Sequence, residues 1–264
     1  MAMDYSNKIV WITGGGTGIG RALAHEYGGR GASVAVSGRR LHKLEEVVEE
    51  LEELGASGLA VQCDVTEEDQ VESAVQEVVS EFGRLDIAIA NAGYAATGNV
   101  DELDADEWRR QLDVNVVGLA ITAKHALPEL QKTGGRVALM GSVAGVVGLP
   151  DEAAYSASKF AVRSIGQSLA ARLDDSPASC TTIQPGFVES EIVKRDNEDQ
   201  VHEDWEDRRP QNLVMPTDKA ARKIVKAIER RKREYTFTGH GRVAAFFGKH
   251  LPGLTNFALA KFGS

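Results

Sequence analysis

The sequence predicts an α/β fold in which a doubly wound parallel sheet of about seven strands carries helices on both faces. Short apolar runs alternate with helical patterns along the 264-residue chain. Most of these runs are apolar throughout, which is typical of strands buried on both faces. Strands that are separated by helices pair in parallel, and such a sheet binds its ligand at the carboxyl ends of its strands.

The predicted elements follow one another with short connections. Strands are predicted at 9–12, 34–37, 59–63, 85–90, 137–140, 179–184 and 235–238. Helices are predicted at 19–29, 41–54, 67–82, 104–131, 152–173 and 217–232. Because no linker, repeat or low-complexity tract divides the chain, we expect one domain over residues 1–264.

Composition limits the classes of function. The net charge of −9 argues against nucleic acid as a partner, and no apolar run is long enough to span a bilayer. The start lacks a basic segment followed by an apolar stretch, so no signal peptide is expected. Cys63 and Cys180 lie in apolar, strand-like contexts, which favours reduced thiols and a cytoplasmic location. The six histidines lack ligand spacing, so no metal site is predicted.

A glycine-rich turn, Thr13-Gly14-Gly15-Gly16-Thr17-Gly18-Ile19-Gly20, joins the first strand to the first helix. Glycines let the backbone approach a pyrophosphate, and a helix N-terminus favours its charge. The spacing is neither G-x-G-x-x-G nor a P-loop. The position predicts dinucleotide binding; a glycine-rich turn without a ligand is the alternative.

The end of the second predicted strand indicates which dinucleotide is preferred. NAD-binding folds usually place a carboxylate there for the adenosine ribose, but this chain has Arg39 and Arg40. Guanidinium groups suit a 2′-phosphate, so NADP is favoured and NAD is the alternative cofactor. In a structural interpretation, the two arginines instead cap the next helix or pair with Glu45 and Glu46.

Tyr155 and Lys159 are the strongest candidates for chemistry. Residues at i and i+4 share a helix face, and a nearby cation is expected to lower the pKa of the phenol, making it a usable general acid or base. Ser142 follows an apolar strand and is placed to hydrogen-bond a substrate oxygen. A Y-x-x-x-K spacing alone also occurs by chance in surface helices.

Together these motifs resemble the short-chain dehydrogenase/reductase family, in its ordinary-length branch, over residues 8 to 238. The resemblance implies a Rossmann-type sheet and a catalytic tetrad of Asn115, Ser142, Tyr155 and Lys159. The implied cofactor contacts are Gly14, Gly16, Thr17, Gly18, Ile19, Gly20, Arg39, Arg40, Asp64, Val65, Asn91, Ala92, Gly93, Tyr155, Lys159, Pro185, Gly186, Val188 and Ser190. Ser190 stands where the family often has Thr, and Glu189 places a carboxylate beside the nicotinamide segment.

The resemblance also implies roles. Hydride passes between the nicotinamide and a substrate carbon, and Tyr155 exchanges a proton with the substrate oxygen. Lys159 lowers the pKa of Tyr155 and binds the nicotinamide ribose. Ser142 holds the substrate oxygen, and Asn115 interrupts a helix and helps hold a water that feeds protons to Lys159.

The predicted function is therefore an NADP-dependent oxidoreductase that interconverts a secondary alcohol and a ketone or aldehyde. An NAD-dependent alcohol dehydrogenase is the alternative, and a non-catalytic dinucleotide-binding regulator is a third hypothesis, against which the complete tetrad argues. The substrate is expected to be bulky and apolar, steroid- or retinoid-like. Two interpretations are open for Tyr94, Val143, Val146, Val147, Leu149 and Pro150: they line the substrate pocket, or they belong to the ordinary core.

Two segments complete the prediction. Residues 188–215 are too long and polar for a tight connection, which predicts a substrate lid or a solvated surface excursion. The tail 239–264 carries apolar and basic residues, and Pro252 interrupts any continuous helix. The tail is expected to pack on its own or a neighbouring subunit, to cover the cleft, or to lie on a membrane surface. The family resemblance further suggests a homodimer or homotetramer formed through 104–131 and 152–173.

Overall fold

A computed structural model describes residues 4–194, 196–197, 200–202, 204–207 and 209–262. Its strands are β1 (Ile9–Thr13), β2 (Ser33–Gly38), β3 (Gly58–Gln62), β4 (Ile87–Ala90), β5 (Arg136–Met140), β6 (Ser179–Gln184) and β7 (Glu234–Thr236). Within the described ranges they form a seven-stranded sheet in the order β3-β2-β1-β4-β5-β6-β7, and every neighbouring pair is parallel. The predicted fold class is confirmed.

The helices agree with the predicted ones to within a few residues, with one exception. They are α1 (Gly18–Gly28), α2 (Leu41–Glu53), α3 (Glu68–Phe82), α4 (Ala105–Leu112), α5 (Leu119–Thr133), α6 (Ala153–Arg172), α7 (Thr217–Glu229), α8 (Gly239–His250) and α9 (Pro252–Phe262). The helix predicted at 104–131 is divided into α4 and α5 by a π-helical turn, Asp113–Gly118, which contains Asn115, where the family resemblance implies an interruption.

The order of the strands places a crevice in the middle of the sheet. From β1 the chain winds outward to β2 and β3 on one side, and then returns to β4 and winds outward to β7 on the other. The connections therefore diverge at the carboxyl ends of β1 and β4, where open α/β sheets bind their ligands.

Apolar residues pack on both faces of the sheet. In β1, Val10 and Ile12 face α1, α2 and α7, whereas Ile9 and Trp11 face the layer that contains α3, α5 and α6. Side chains alternate between faces along a strand, so burial of both faces explains the uninterrupted apolar run. Cys63 and Cys180 are buried free thiols.

The segment 188–215 leaves the sheet after β6 and returns before α7. A bridge between Val188 and Met215 closes its base, and short 3₁₀ turns occupy Glu191–Lys194 and Gln211–Leu213. Within this segment, Arg195, Glu198, Asp199, Glu203 and Arg208 lie outside the described residues.

The C-terminal tail forms two helices, and the break between them lies just before Pro252, where the sequence predicts that a continuous helix is interrupted. Ala245 of α8 is buried against Val146 and Val147, which confirms packing of α8 on its own chain. In contrast, α9 leaves Leu254 and Phe257 exposed. Among the described helices, none combines the length and the apolar character that a bilayer-spanning segment requires.

Candidate active site

The glycine-rich turn lies at the crevice and is shaped by close backbone contacts. Gly14 has a φ of +63°, and a Cβ atom at Gly20 would lie 2.2 Å from the Gly14 carbonyl oxygen. The Asn91 side-chain amide donates to the carbonyl oxygens of Thr13 and Gly14, both at 3.0 Å. These contacts fix the turn against the end of β4.

The glycine-rich turn has the features of a site that binds an anionic group. The first turn of α1 contains no acidic residue, and Thr17 at its N-cap makes no side-chain capping hydrogen bond. At Gly18 a Cβ atom would have its nearest neighbour, Ser190, only at 3.9 Å, so the backbone there stays accessible from the cleft. The residues present therefore fit a pyrophosphate at the helix N-terminus.

The cleft continues from this turn to the end of β2. Arg39, Arg40, Asp64 and Val65 line it there. The Arg40 guanidinium lies 3.7 Å from the Glu191 carboxylate, not beside Glu45 or Glu46, and makes no side-chain capping hydrogen bond to α2.

Sequence reasoning missed a third cation at this end. Lys43 lines the same part of the cleft and also contacts Glu46 at 2.8 Å. The signal that could have found it is its position in the first turn of α2, directly after the end of β2.

At the other end of the cleft, the structure brings Ser142, Tyr155 and Lys159 together. Ser142 follows β5, its hydroxyl accepts from the Ala144 amide at 3.1 Å, and it lies close enough to Tyr155 to influence the pKa of the phenol. Lys159, one turn along α6, is buried and donates from Nζ to the Met140 carbonyl oxygen at 2.9 Å. These three side chains therefore lie together in one corner at the end of β5, with Lys159 buried and Ser142 and Tyr155 half-buried.

Asn115 reaches this corner from the π-helical turn. Its side-chain oxygen accepts from the Tyr94 amide at 2.8 Å, and its side-chain nitrogen donates to the Tyr94 carbonyl oxygen at 2.9 Å. A Cβ atom at Gly93 would lie 3.6 Å from the Asn115 side-chain oxygen and 3.9 Å from Lys159 Nζ. Asn115 and Lys159 therefore approach the same glycine backbone.

Burial controls the proton affinities in this corner. It raises the pKa of Tyr155 to about 12, while the nearby Ser142 hydroxyl acts in the opposite direction. Burial also lowers the pKa of Lys159 to about 8. The net shift of the Tyr155 pKa is therefore upward, opposite to the direction predicted from the sequence, because loss of hydration outweighs the effect of the neighbouring charge.

The segment after β6 lines the cleft between its two ends. Pro185, Gly186, Val188 and Ser190 all contribute to the lining. Glu189 is exposed instead, and its carboxylate accepts from the Thr217 amide at 3.2 Å, at the start of α7. An acidic group at a helix N-terminus stabilises the helix, so Glu189 has a structural contact that the sequence left undefined.

The substrate end of the cleft is more polar than expected. Tyr94 lines it, which agrees with the pocket interpretation, together with Arg110, Ile192 and Arg209. The cleft is not lined by Val143, Val146, Val147, Leu149 or Pro150. Val146 and Val147 pack on Ala245 with Leu149 beside them, and Val143 is buried near Gly241, which agrees with the alternative that these residues belong to the core; Pro150 is exposed.

Both arginines are held by neighbouring groups. Arg209 donates to the Asp207 carboxylate at 2.8 and 2.7 Å and to the Val188 carbonyl oxygen at 3.0 Å. The hydrogen bonds from Arg209 lower the pKa of Asp207 to about 2. Arg110 lies over the Tyr94 ring, 4.8 Å from its centroid. Neither arginine was predicted, because both come from segments remote in sequence.

Comparison with known proteins agrees with this geometry. The family model for short chain dehydrogenase matches residues 8–201. Hydroxynaphthalene reductase arp2 of Aspergillus fumigatus is 36% identical over 191 residues, 72% of this chain and 70% of that protein. 11-beta-hydroxysteroid dehydrogenase A of Sesamum indicum is 30% identical over 257 residues, 94% of this chain and 73% of that protein.

A solved structure shows the same likeness. A short chain dehydrogenase/reductase from Burkholderia phymatum, in complex with NAD, superposes with a TM-score of 0.80 at 26% identity, covering 89% of this chain and 90% of that one. The chain belongs to the short-chain dehydrogenase family, and it is an oxidoreductase of the kind that acts on CH–OH groups.

Proposed function

We propose that the protein is an NADP-dependent oxidoreductase that interconverts a secondary alcohol and a ketone or aldehyde, with Tyr155 as general acid and base. The observation that carries this proposal is the convergence of Ser142, Tyr155 and Lys159 at one end of a cleft whose other end is lined by Arg39 and Arg40. When bound, the nicotinamide dinucleotide supplies or accepts the hydride.

In the proposed reduction, the Ser142 hydroxyl binds the carbonyl oxygen and Tyr155 donates its proton to that oxygen. A phenol with a pKa of about 12 is almost entirely protonated at pH 7, so it is in the form that a proton donor needs. Lys159 supplies a buried positive charge near the Tyr155 ring, with Nζ 5.5 Å from the ring centroid. That charge stabilises the phenolate once the proton has left.

Asn115 has a supporting role in this proposal. Its side chain is fixed by two hydrogen bonds to the Tyr94 backbone and by one to the Ser158 hydroxyl at 3.1 Å. We expect the π-helical turn to place it where a water joins Lys159 to solvent. The proton that leaves Tyr155 is then replaced through Lys159.

Charge supports the preference for NADP. Arg39, Arg40 and Lys43 line the adenosine end, and β2 ends without a carboxylate. The ion pair between Arg40 and Glu191 joins two largely exposed side chains, and such pairs contribute only about 0–1 kcal/mol. A 2′-phosphate is expected to displace it readily. The Burkholderia phymatum relative was solved with NAD, so NAD is the alternative.

For the substrate, we propose a bulky cyclic ketone or the corresponding alcohol. Two relatives are named for hydroxynaphthalene and 11-beta-hydroxysteroid substrates. Tyr94 and Ile192 offer apolar surface beside Ser142, and Arg110 lies behind the Tyr94 ring. We also propose that 188–215 acts as the lid over this substrate.

The proposal is tested by turnover. Nicotinamide absorbance is followed with NADPH and with NADH against small aldehydes, small ketones and bulky cyclic ketones. We expect turnover with the bulky ketones and a preference for NADPH. A preference for NADH contradicts the cofactor proposal, and dinucleotide binding without turnover on any substrate favours the non-catalytic hypothesis.

A homo-oligomer is part of the proposal. Leu112, Val117 and Phe160 are 36%, 45% and 43% exposed, on α4, the π-helical turn and α6 respectively. Exposed apolar side chains on these helices suit contacts with a second copy. Light scattering is expected to give a dimer or tetramer, and Phe160→Asp to reduce the mass.

We also propose peripheral contact of the tail with an anionic membrane surface. Phe246 and Phe257 are 56% and 61% exposed. Residues 235–264 contain Arg242, Lys249 and Lys261 but no acidic residue. Apolar helices with basic neighbours bind at lipid interfaces.

A further inference from the structure

His240, near the start of α8, contacts the segment that lines the middle of the cleft. Its Nε2 atom accepts a hydrogen bond from the Phe187 amide at 3.0 Å. Its ring stacks on the Phe187 ring with the centroids 4.8 Å apart and 29° between the planes. The tail is therefore joined to the backbone two residues after Pro185.

The tail also packs closely against Gly186, the residue before Phe187. A Cβ atom at Gly186 would lie 2.3 Å from His240 Nε2 and 2.4 Å from the Thr238 hydroxyl. A side chain at residue 186 would force the two segments apart. Direct packing of the tail on the Pro185–Val188 backbone therefore depends on this glycine.

Two further contacts fix this segment. The Arg209 guanidinium carbon lies 5.9 Å from the centroid of the Phe187 ring, and Arg209 donates to the Val188 carbonyl oxygen at 3.0 Å. The Pro185 carbonyl oxygen accepts from the Val143 amide at 2.8 Å, directly after Ser142. The segment is thus joined to the tail, to 188–215 and to the turn that carries Ser142.

We propose that His240 is a positioning residue that holds Pro185–Val188 in the conformation that receives the nicotinamide end of the dinucleotide. This inference rests on the proposed function. Because Nε2 is the acceptor, the imidazole is neutral and its proton lies on Nδ1. The C-terminal tail therefore affects cofactor affinity through one hydrogen bond and one ring contact between His240 and Phe187. These two residues are more than fifty positions apart in the sequence.

Two substitutions separate the hydrogen bond from the ring. His240→Phe keeps an aromatic ring on Phe187 but removes the acceptor, whereas His240→Gln keeps a side-chain acceptor at a similar reach and removes the ring. Loss of a hydrogen bond corresponds to about a tenfold change. We expect His240→Phe to raise the KM for the dinucleotide about tenfold, with kcat and the substrate KM within about twofold of the wild type. His240→Gln is expected to restore most of the affinity.

A second measurement needs neither substrate nor dinucleotide. Amide hydrogen exchange at Phe187 reports the hydrogen bond directly. We expect this amide to be protected in the wild type and in His240→Gln, and to exchange about tenfold faster in His240→Phe. Arg222→Ala, on the exposed face of α7, is the matched control and is expected to leave exchange at Phe187 unchanged.

Failure of the His240 proposal can be distinguished from failure of the proposed enzymatic function. If the wild type shows no turnover, the enzyme proposal fails while hydrogen exchange still tests His240. Unchanged exchange and unchanged dinucleotide affinity in His240→Phe overturn the positioning role. Equal losses of dinucleotide affinity in His240→Phe and His240→Gln also overturn it. Such a result would mean that any change in packing at residue 240 weakens binding, whether or not the hydrogen-bond acceptor is kept. If His240→Phe does not fold, an unprotected Phe187 amide in the wild type is sufficient to reject the proposal.

Discussion

Lys159 and Tyr155 lie one turn apart on α6, and the lysine Nζ is 5.5 Å from the centroid of the tyrosine ring in a corner where the lysine is buried and the tyrosine is half-buried. Burial disfavours the charged form of each group. It therefore raises the pKa of Tyr155 to about 12 and lowers that of Lys159 to about 8. In this arrangement, a neutral phenol lies beside a lysine that loses its positive charge as the pH rises above about 8.

Replacing Tyr155 with Phe removes the proposed proton donor and keeps the ring. General acid catalysis contributes about 10²–10⁴-fold to rates, so we expect ketone reduction to fall by about 10³-fold. Thermal unfolding is expected to stay within a few degrees of the wild type. The matched control is Tyr235→Phe on β7, which removes a hydroxyl outside the cleft and should leave turnover unchanged. Full activity in Tyr155→Phe would remove Tyr155 from the mechanism.

The pH dependence follows from the two pKa values. Below the pKa of Lys159, about 8, the lysine is charged and Tyr155 carries its proton, so ketone reduction is expected to be constant between pH 6 and that value. Above it the lysine loses its charge and the reduction rate falls. Alcohol oxidation needs the phenolate, so its rate is expected to rise with pH. Profiles of kcat/KM in both directions test this, and reduction that stays constant to pH 10 contradicts the lysine assignment.

The fold could be predicted because the signals are local. Val10, Trp11 and Ile12 form a continuous apolar run, since both faces of β1 are covered. Likewise, the spacing of Gly14, Gly18 and Gly20 reflects contacts within one turn. The interruption of the helix at Asn115 was implied by the family resemblance alone, because one extra residue per turn changes the backbone without changing the residue types.

Features that depend on distant segments could not be predicted. Arg209 and His240 meet at Phe187 only after the chain has crossed the sheet. The pKa of Tyr155 was predicted in the wrong direction because sequence spacing shows a neighbouring charge but not the depth of burial. Depth depends on α6 packing against β5 and β6, a three-dimensional property.

Cofactor preference is tested by removing cations at the adenosine end. Charge-assisted hydrogen bonds are worth about 1.5–3 kcal/mol, so Arg39→Ala is expected to raise the KM for NADPH by about 10–100-fold. The KM for NADH should change little, because NADH lacks the 2′-phosphate. Lys43→Ala is expected to act in the same direction, and more weakly, because a lysine ammonium does not make the bidentate hydrogen bonds that an arginine guanidinium can make to a phosphate. Arg222→Ala serves as the charge-matched control. Equal effects on both dinucleotides would mean that Arg39 does not read the 2′-phosphate.

The exposed tail is tested with vesicles. Phe246 and Phe257 are replaced together by Ser, and Val100→Ser, at an exposed position after β4, is the control. We expect the wild type and the control to sediment with phosphatidylglycerol vesicles and the double variant to remain in solution. Salt should weaken binding, because Arg242 and Lys261 interact with the headgroups through screened charges. If the wild type remains in solution and the double variant has a lower mass in light scattering, the same aromatic face packs against another subunit instead.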